Sequence, residues 1–417
     1  MKNTVTRRNL LLGTAALGGA ASLPFASSPL RAQSAGRKLV IVLASGGWDP
    51  TYALDPKVGS AGVDAPAGTV TEISGIPFLS DPARPSVDQF FTRYGSIAAV
   101  VNGVQVRSFV HADCMKRMLT GTASDQNADF GALVAYDAGR DLPVPYLVLG
   151  MSAMSGPLAS ITGRAGTTNQ LSSLLVPSAA DPFLPAPALS LSDAEHTLVD
   201  DYLTAATARE QAVRGQMGSN ARALDAFKAS LDRAGLLQRF AAQNGSFGAR
   251  GYTPDLLVQV EVGVKALSGD LCHTTMLELS NWDTHSDNAQ QGPLHESLFA
   301  ALIQLGDSLE QAALLERTTV VVLSEMGRTP KLNTALGKDH WPVTSCMAFG
   351  AGVSGGQVFG ATDDSQNALN VTFANGAVGA EGKQIQASNL AATVLQLTGL
   401  PSENHFPGVE PLSAVIA

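Results

Sequence analysis

Four short stretches place carboxylates and imidazoles at spacings that suit a metal ion. Asp49 closes Ser45-Gly46-Gly47-Trp48-Asp49. Asp283 and His285 stand two apart in Asn281-Trp282-Asp283-Thr284-His285. Glu325 and Arg328 belong to Ser324-Glu325-Met326-Gly327-Arg328, and Asp339 and His340 to Gly337-Lys338-Asp339-His340-Trp341. Carboxylate oxygen and imidazole nitrogen are the donors that Zn, Mn and Mg sites use. Side chains two apart in extended chain point to one side, so Asp283 and His285 can serve one ion. Acids that converge repel one another, and a bound cation is the natural compensation.

The elements that must bring these residues together are apolar runs ending at the motifs. Lys38 to Ala44 (KLVIVLA), Cys272 to Leu279 (CHTTMLEL) and Thr318 to Leu323 (TTVVVL) read as buried strands of a parallel sheet. Ligands of open α/β sheets gather outside the carboxyl ends of the strands, which is where Asp49, Asp283, His285 and Glu325 fall. Asp339 and His340 lie far enough beyond Glu325 for a loop to fold back. A further strand, Ile97 to Val101, leads through Asn102-Gly103 to His111, which precedes a helix running to about Leu119 and ended by Thr120-Gly121. His111 has three readings there: ligand, acid or base, or packing residue. Pro145 to Gly150 and Met347 to Val353 are further strands. Pro254 to Ser268, Leu294 to Leu315 and the stretch from Ser388 to Leu400 are helices. Strand, helix, strand from Cys272 to Leu323 makes a βαβ unit, right-handed on general grounds.

Each motif residue also has a plainer reading. Asp49 is equally a turn cap, His285 a hydrogen-bonded surface histidine, and Glu325 with Arg328 a structural ion pair at a strand end. Their coincidence at four strand-to-loop transitions favours the site.

With 45% hydrophobic and 15% charged residues, the 417-residue chain is globular. A net charge of -9 argues against nucleic acid as a partner, since that binding needs clustered Lys and Arg. Residues 1–35 read as an export address: Thr6-Arg7-Arg8-Asn9-Leu10-Leu11 is a twin-arginine pattern before a Gly/Ala-rich apolar run too short for a good membrane span. Cleavage near Ala32 would release a periplasmic or secreted protein with no membrane span. Residues 36–417 then form one α/β domain, a mostly parallel central sheet between helices, with a helical insertion at about 190–245. Cys114, Cys272 and Cys346 are too few for a disulfide framework and suit core packing.

Over nearly all its mature length, the chain resembles the twin-arginine-exported bacterial proteins called domain of unknown function 1501, which are similar to the alkaline phosphatase and sulfatase superfamily. The matching pieces are Gly46 to Asp49, Trp282 to His285, Ser324 to Pro330 and Gly337 to Pro342. The resemblance implies an alkaline phosphatase-like fold with divalent metals at the carboxyl edge, Asp49 and Glu325 on one ion and Asp283, His285 and His340 on another. It implies that Arg328 and Asp339 orient groups or substrate, and that the substrate is a phosphate or sulfate ester of a small molecule or polysaccharide. An exported protein partner is a further implication, and a non-catalytic envelope binding or assembly protein of the same fold is the alternative. Where phosphatases of that superfamily carry a nucleophilic Ser or Thr, and sulfatases a Cys or Ser with Pro or Ala two residues on and Arg four on, this chain reads Cys114-Met115-Lys116-Arg117-Met118. His111 stands roughly in the nucleophile's place.

Overall fold

A computed structural model describes residues 36–164, 192–214 and 255–417, with scattered positions between 224 and 237. The export address expected at residues 1–35, and much of the expected insertion, lie outside the described residues.

Strand β1 (Lys38–Ala44) is the middle of the molecule. Every one of its seven residues is buried, and successive side chains alternate between two apolar clusters. Val40, Val42 and Ala44 face one cluster with helices α1 (Pro85–Tyr94), α5 (Leu256–Ser268) and α6 (Gln291–Gln311). Leu39, Ile41 and Leu43 face the other with α2 (His111–Thr120), α3 (Phe130–Gly139) and α7 (Ala387–Leu397). The result is a sheet between two helical layers, which is why its central strands carry continuous apolar runs. Helix α4 (Asp193–Arg214) belongs to the insertion.

The main sheet has nine strands among the described residues. Its order is β12 (Gln357–Phe359), β4 (Ala98–Gln105), β11 (Val343–Gly350), β8 (Thr318–Leu323), β1, β7 (Thr274–Leu279), β5 (Tyr146–Val148) and β6 (Thr162–Arg164), with β13 (Ile385–Gln386) also on β4. All pairings are parallel except those of β11, which runs against both β4 and β8. Hence β1, β4, β7 and β8 point the same way, and their carboxyl ends lie on one edge. A separate hairpin joins β2 (Thr69–Ile73) to β3 (Ile76–Ser80). Another short antiparallel pair, β9 (Gly327–Arg328) with β10 (His340–Trp341), sets His340 opposite Arg328. That pairing closes the loop after β8 and returns Asp339 and His340 to the edge.

The fold is the expected one, mostly parallel and layered by helices, with β1 and β8 at their expected bounds. Helix α2 ends at Gly121, whose left-handed φ of 68° terminates it. All three cysteines are buried and unpaired. No helix among the described residues is long and apolar enough to cross a membrane.

Candidate metal centre

Two loops meet first. Gly46 takes a φ of 120°, and a Cβ there would stand 2.7 Å from the Asp283 amide nitrogen, so only glycine lets the loop after β1 lie against the loop after β7. Beneath them the two motif tryptophans form an apolar floor: Trp48 and Trp282 are 1% and 0% exposed and meet edge to face at 6.3 Å. Gly337 is forced for a similar reason, because a side chain there would collide with the His285 backbone.

On this floor three imidazoles surround one carboxylate oxygen. From Asp283 Oδ1, the Nε2 atoms of His285, His340 and His111 lie at 3.1, 3.4 and 3.5 Å. The ligand atoms of His111, Asp283 and His340 all fall within 4.8 Å of one another, and His285 Nε2 joins them 2.9 Å from His340 Nε2. Donors about 2.0–2.1 Å from one zinc ion stand roughly 3.3 Å apart in a tetrahedron, close to the spacings about Asp283.

Each ring is held from behind. His111 Nδ1 lies 2.7 Å from Glu325 Oε1, His285 Nδ1 2.9 Å from Asp339 Oδ1, and His340 Nδ1 2.6 Å from the Phe109 carbonyl oxygen. Those partners are two carboxylates and a carbonyl, all acceptors, so Nδ1 carries the hydrogen and the Nε2 lone pairs face inward. Anchoring of this kind fixes the ring and tautomer of metal-ligating histidines. Lone pairs facing at 2.9 Å repel unless a proton or cation lies between them, and His111 Nε2, shielded from solvent, makes no hydrogen bond. These are the features a cation would satisfy, and the donor set suits zinc or a similar divalent ion.

Charge points the same way. Asp283, Glu325 and Asp339 stand against the single guanidinium of Arg328, a deficit of two positive charges. The Glu325 hydrogen bond raises the pKa of His111. For Asp283, burial would raise the pKa, but the Arg328 hydrogen bond and charge outweigh it and hold the carboxyl below its ordinary value. Asp339 is lowered by the hydrogen bond to His285.

The roles differ from those expected in three places. Asp49 is 0% exposed and pairs with Lys338 Nζ at 2.7 Å, while accepting from Thr51 N, Thr51 Oγ1 and Asn288 Nδ2. Its oxygens are thus occupied, the ammonium of Lys338 stands where a second cation was expected, and the turn-cap reading of Asp49 is the one realised. Glu325 lies behind His111 and also accepts from Gly46 N, so it holds the ring of His111, which is the side chain that faces the cluster. Arg328 is fully buried and donates to Gly46 O, Gly47 O, Lys338 O and Asp283 Oδ1, so its guanidinium orients Asp283 and presents no exposed surface. Asp283, His285 and His340 do converge, and Asp339 stands beside them.

Residues 92–412 match the family described as "Protein of unknown function (DUF1501)". The chain belongs to this family. No curated protein matches it. Among solved structures it is similar to one from work on the metabolism of multiple glycosaminoglycans by Bacteroides thetaiotaomicron, at 10% identity and a TM-score of 0.42, over 89% of this chain and 74% of that one. A sulfatase from Pseudoalteromonas sp. matches at 11% identity and a TM-score of 0.40, over 92% and 72%. An alkaline phosphatase from the Antarctic bacterium TAB5 matches at 12% and 0.35, over 88% and 99%. Likeness this distant leaves the chemistry to the residues themselves.

Sequence reasoning did not single out Lys338, Asn288 and Gln291, the polar groups that hold this family member's β1 loop in place. Gln291 accepts from Asp49 N and donates to Trp282 O and Thr284 Oγ1, stapling two motif loops together. A buried lysine between Gly337 and Asp339 carries no local signal, since its partner lies 289 residues away.

Proposed function

We propose that the protein is a hydrolase of phosphate or sulfate esters that works with one divalent ion held by His111, Asp283, His285 and His340. The observation that carries this reading is the set of inward-facing imidazoles around Asp283 Oδ1, each anchored at Nδ1. Those four residues would hold the ion, which when bound would supply polarisation of an ester oxygen and a more acidic water. Glu325 and Asp339 fix the orientation and tautomer of the rings they hold, and Arg328 keeps the Asp283 carboxylate turned toward them. Water as nucleophile is favoured because no activated side chain stands at the start of α2: Val110 is its cap residue, and the Cys114 thiol is buried and pushed up to about 11. With Arg328 enclosed, Arg107 is the cation proposed for the ester's anionic group. It is exposed, without an ion pair among the described residues, and left-handed at φ 61°, on the loop that delivers His111. The twin-arginine pattern supports a working site outside the cytoplasm, with a small molecule or polysaccharide bearing the ester.

The missing side-chain nucleophile also favours a second reading, a metal-stabilised envelope binding or assembly protein without turnover. Metal analysis of the purified protein, with assays on aryl phosphate monoester, diester and sulfate, separates them. Turnover that is lost with chelator and in His285→Ala, and whose KM rises in Arg107→Ala, supports the hydrolase. Stoichiometric metal without turnover on any of these esters supports the second reading. Protein without metal after growth in metal-replete medium overturns both.

A further inference from the structure

We infer that the protein holds a second ligand, a tetrahedral oxyanion such as inorganic phosphate or sulfate, in a cavity at the opposite edge of the sheet. The cavity has a volume of about 190 Å³ and is lined by Arg140, Arg233, Ser160, Thr162 and the prolines before β5. Since β5 begins at Tyr146 and β6 at Thr162, the cavity sits at the amino ends of these strands, away from the metal centre. Roughly six water molecules' share of volume fits there, enough for an oxyanion with part of its hydration shell.

Two arginines from separate parts of the chain line it. Arg140 follows the last turn of α3, and its guanidinium lies over the Tyr136 ring at 6.0 Å from the centroid. Stacking of that kind occupies the face of the guanidinium and leaves its N–H edge open. Arg233 comes from the insertion, four residues before Leu237, and both positions are helical; Leu237 is 3% exposed and buried in the same apolar cluster as Val144. Residues four apart share a helix face, so the buried leucine holds Arg233 over the cavity. No carboxylate pairs with either guanidinium among the described residues. Among the described residues, six of the other eight arginines of the sheet body have a carboxylate or carbonyl partner, Arg84 on Asp81 and Arg117 on Asp113 among them, and Arg107 and Arg317 are the exceptions. Two like charges lining one small cavity in a chain of net charge -9 call for an anion, and the planar guanidinium fork matches an oxyanion's paired oxygens. Ser160 adds a hydroxyl donor at its wall, while the Thr162 hydroxyl donates to the Leu158 carbonyl oxygen. Bound there, the anion joins the insertion to the sheet body.

Isothermal titration of the full mature chain with inorganic phosphate and with inorganic sulfate, at ionic strength held constant with chloride, tests this. Saturable binding is expected, weakened about tenfold or more in Arg140→Gln and in Arg233→Gln. It should survive in Asp283→Ala, so it stands or falls apart from the metal centre. Phosphate should also shield Arg140 and Arg233 from phenylglyoxal in the unmutated protein, a readout that does not need a folded variant. No saturable binding, binding unchanged in both arginine variants, or binding lost in Asp283→Ala alone would overturn the assignment.

Discussion

Asp49 and Lys338, 289 residues apart in sequence, form an ion pair of 2.7 Å in which both side chains are 0% exposed. Burial by itself would raise the pKa of Asp49, yet the ammonium and the hydrogen bonds from Thr51 and Asn288 hold it below its ordinary value. A buried pair adds little net stability against an apolar replacement, but it fixes geometry. Here it ties the loop after β1 to the residue preceding Asp339 and His340. The pair positions the loop that carries the His340 side of the candidate centre without touching the histidines themselves.

Removing one partner should therefore be far worse than removing both. Lys338→Met leaves an uncompensated buried carboxylate and should cost about 3–5 kcal/mol in urea unfolding. Asp49→Asn added to Lys338→Met should recover much of that. Equal stability of the single and double variants would show that the pair is not coupled.

Acid sensitivity should come in part from His295. It is buried against Trp48, Tyr52 and Trp282, its Nδ1 donates to Gln291 O, and burial lowers its pKa to about 4. The unfolded chain takes up this proton near 6.5 and the folded chain only near 4. Stability is thus complete above the unfolded value and is lost as pH falls toward the folded one, about 3 kcal/mol for this group. His273, also lowered to about 4 by burial, acts in the same direction. In His295→Phe the ring stack survives and the titration does not. Its unfolding free energy should fall less between pH 7 and 4.5 than that of the unmodified protein, and identical slopes would remove His295 as the cause.

How far the sequence was legible depends on whether a signal was local. β1 and β8 were bounded correctly because burial on both faces imposes an unbroken apolar run. Helix α1 was overlooked although its signal is present: Pro85 at the start and Val87, Phe90, Phe91 and Tyr94 at helical spacing, all buried. The direction of β11 had no signal, since an apolar strand reads alike whether its neighbours run parallel or antiparallel. That Asp283, His285 and His340 meet was legible because strand ends and spacing mark them. The exchange of roles between Glu325 and His111 was not, because which group stands in front is set by the packing of α2 against the sheet edge. Nor could sequence distinguish a second metal from the Lys338 ammonium, two solutions to one electrostatic problem.

Metal loading should separate the ligands from the groups behind them. Asp283→Ala, His285→Ala and His340→Ala each remove a donor and should abolish stoichiometric binding. Glu325→Gln and Asp339→Asn keep all donors and should weaken affinity by about 10–100-fold, read by competition with a chromophoric chelator. At a hundredfold excess of ion over its dissociation constant, binding stabilises the fold by about 2.7 kcal/mol, so a chelator should lower the Tm of the unmodified protein and leave that of His285→Ala unchanged. Equal chelator sensitivity in both would place the ion elsewhere.

Arg328→Lys tests whether the buried guanidinium orients Asp283 or merely supplies charge. Lysine keeps the charge but cannot span four acceptors at once, and Gly46 O, Gly47 O and Lys338 O lie in different directions around the guanidinium plane. Each buried carbonyl left without a donor costs on the order of 1–3 kcal/mol, so the variant should unfold at clearly lower urea concentration. If orientation matters, its metal affinity should fall as well, because Asp283 loses the 2.6 Å contact that holds its oxygen toward the imidazoles. A variant that is less stable but binds metal as tightly as the parent would assign Arg328 to the loops alone. Arg328→Met completes the comparison: if charge were its only contribution, Arg328→Lys would bind metal like the parent, and Arg328→Met, with one less positive charge beside the ion, would bind it more tightly.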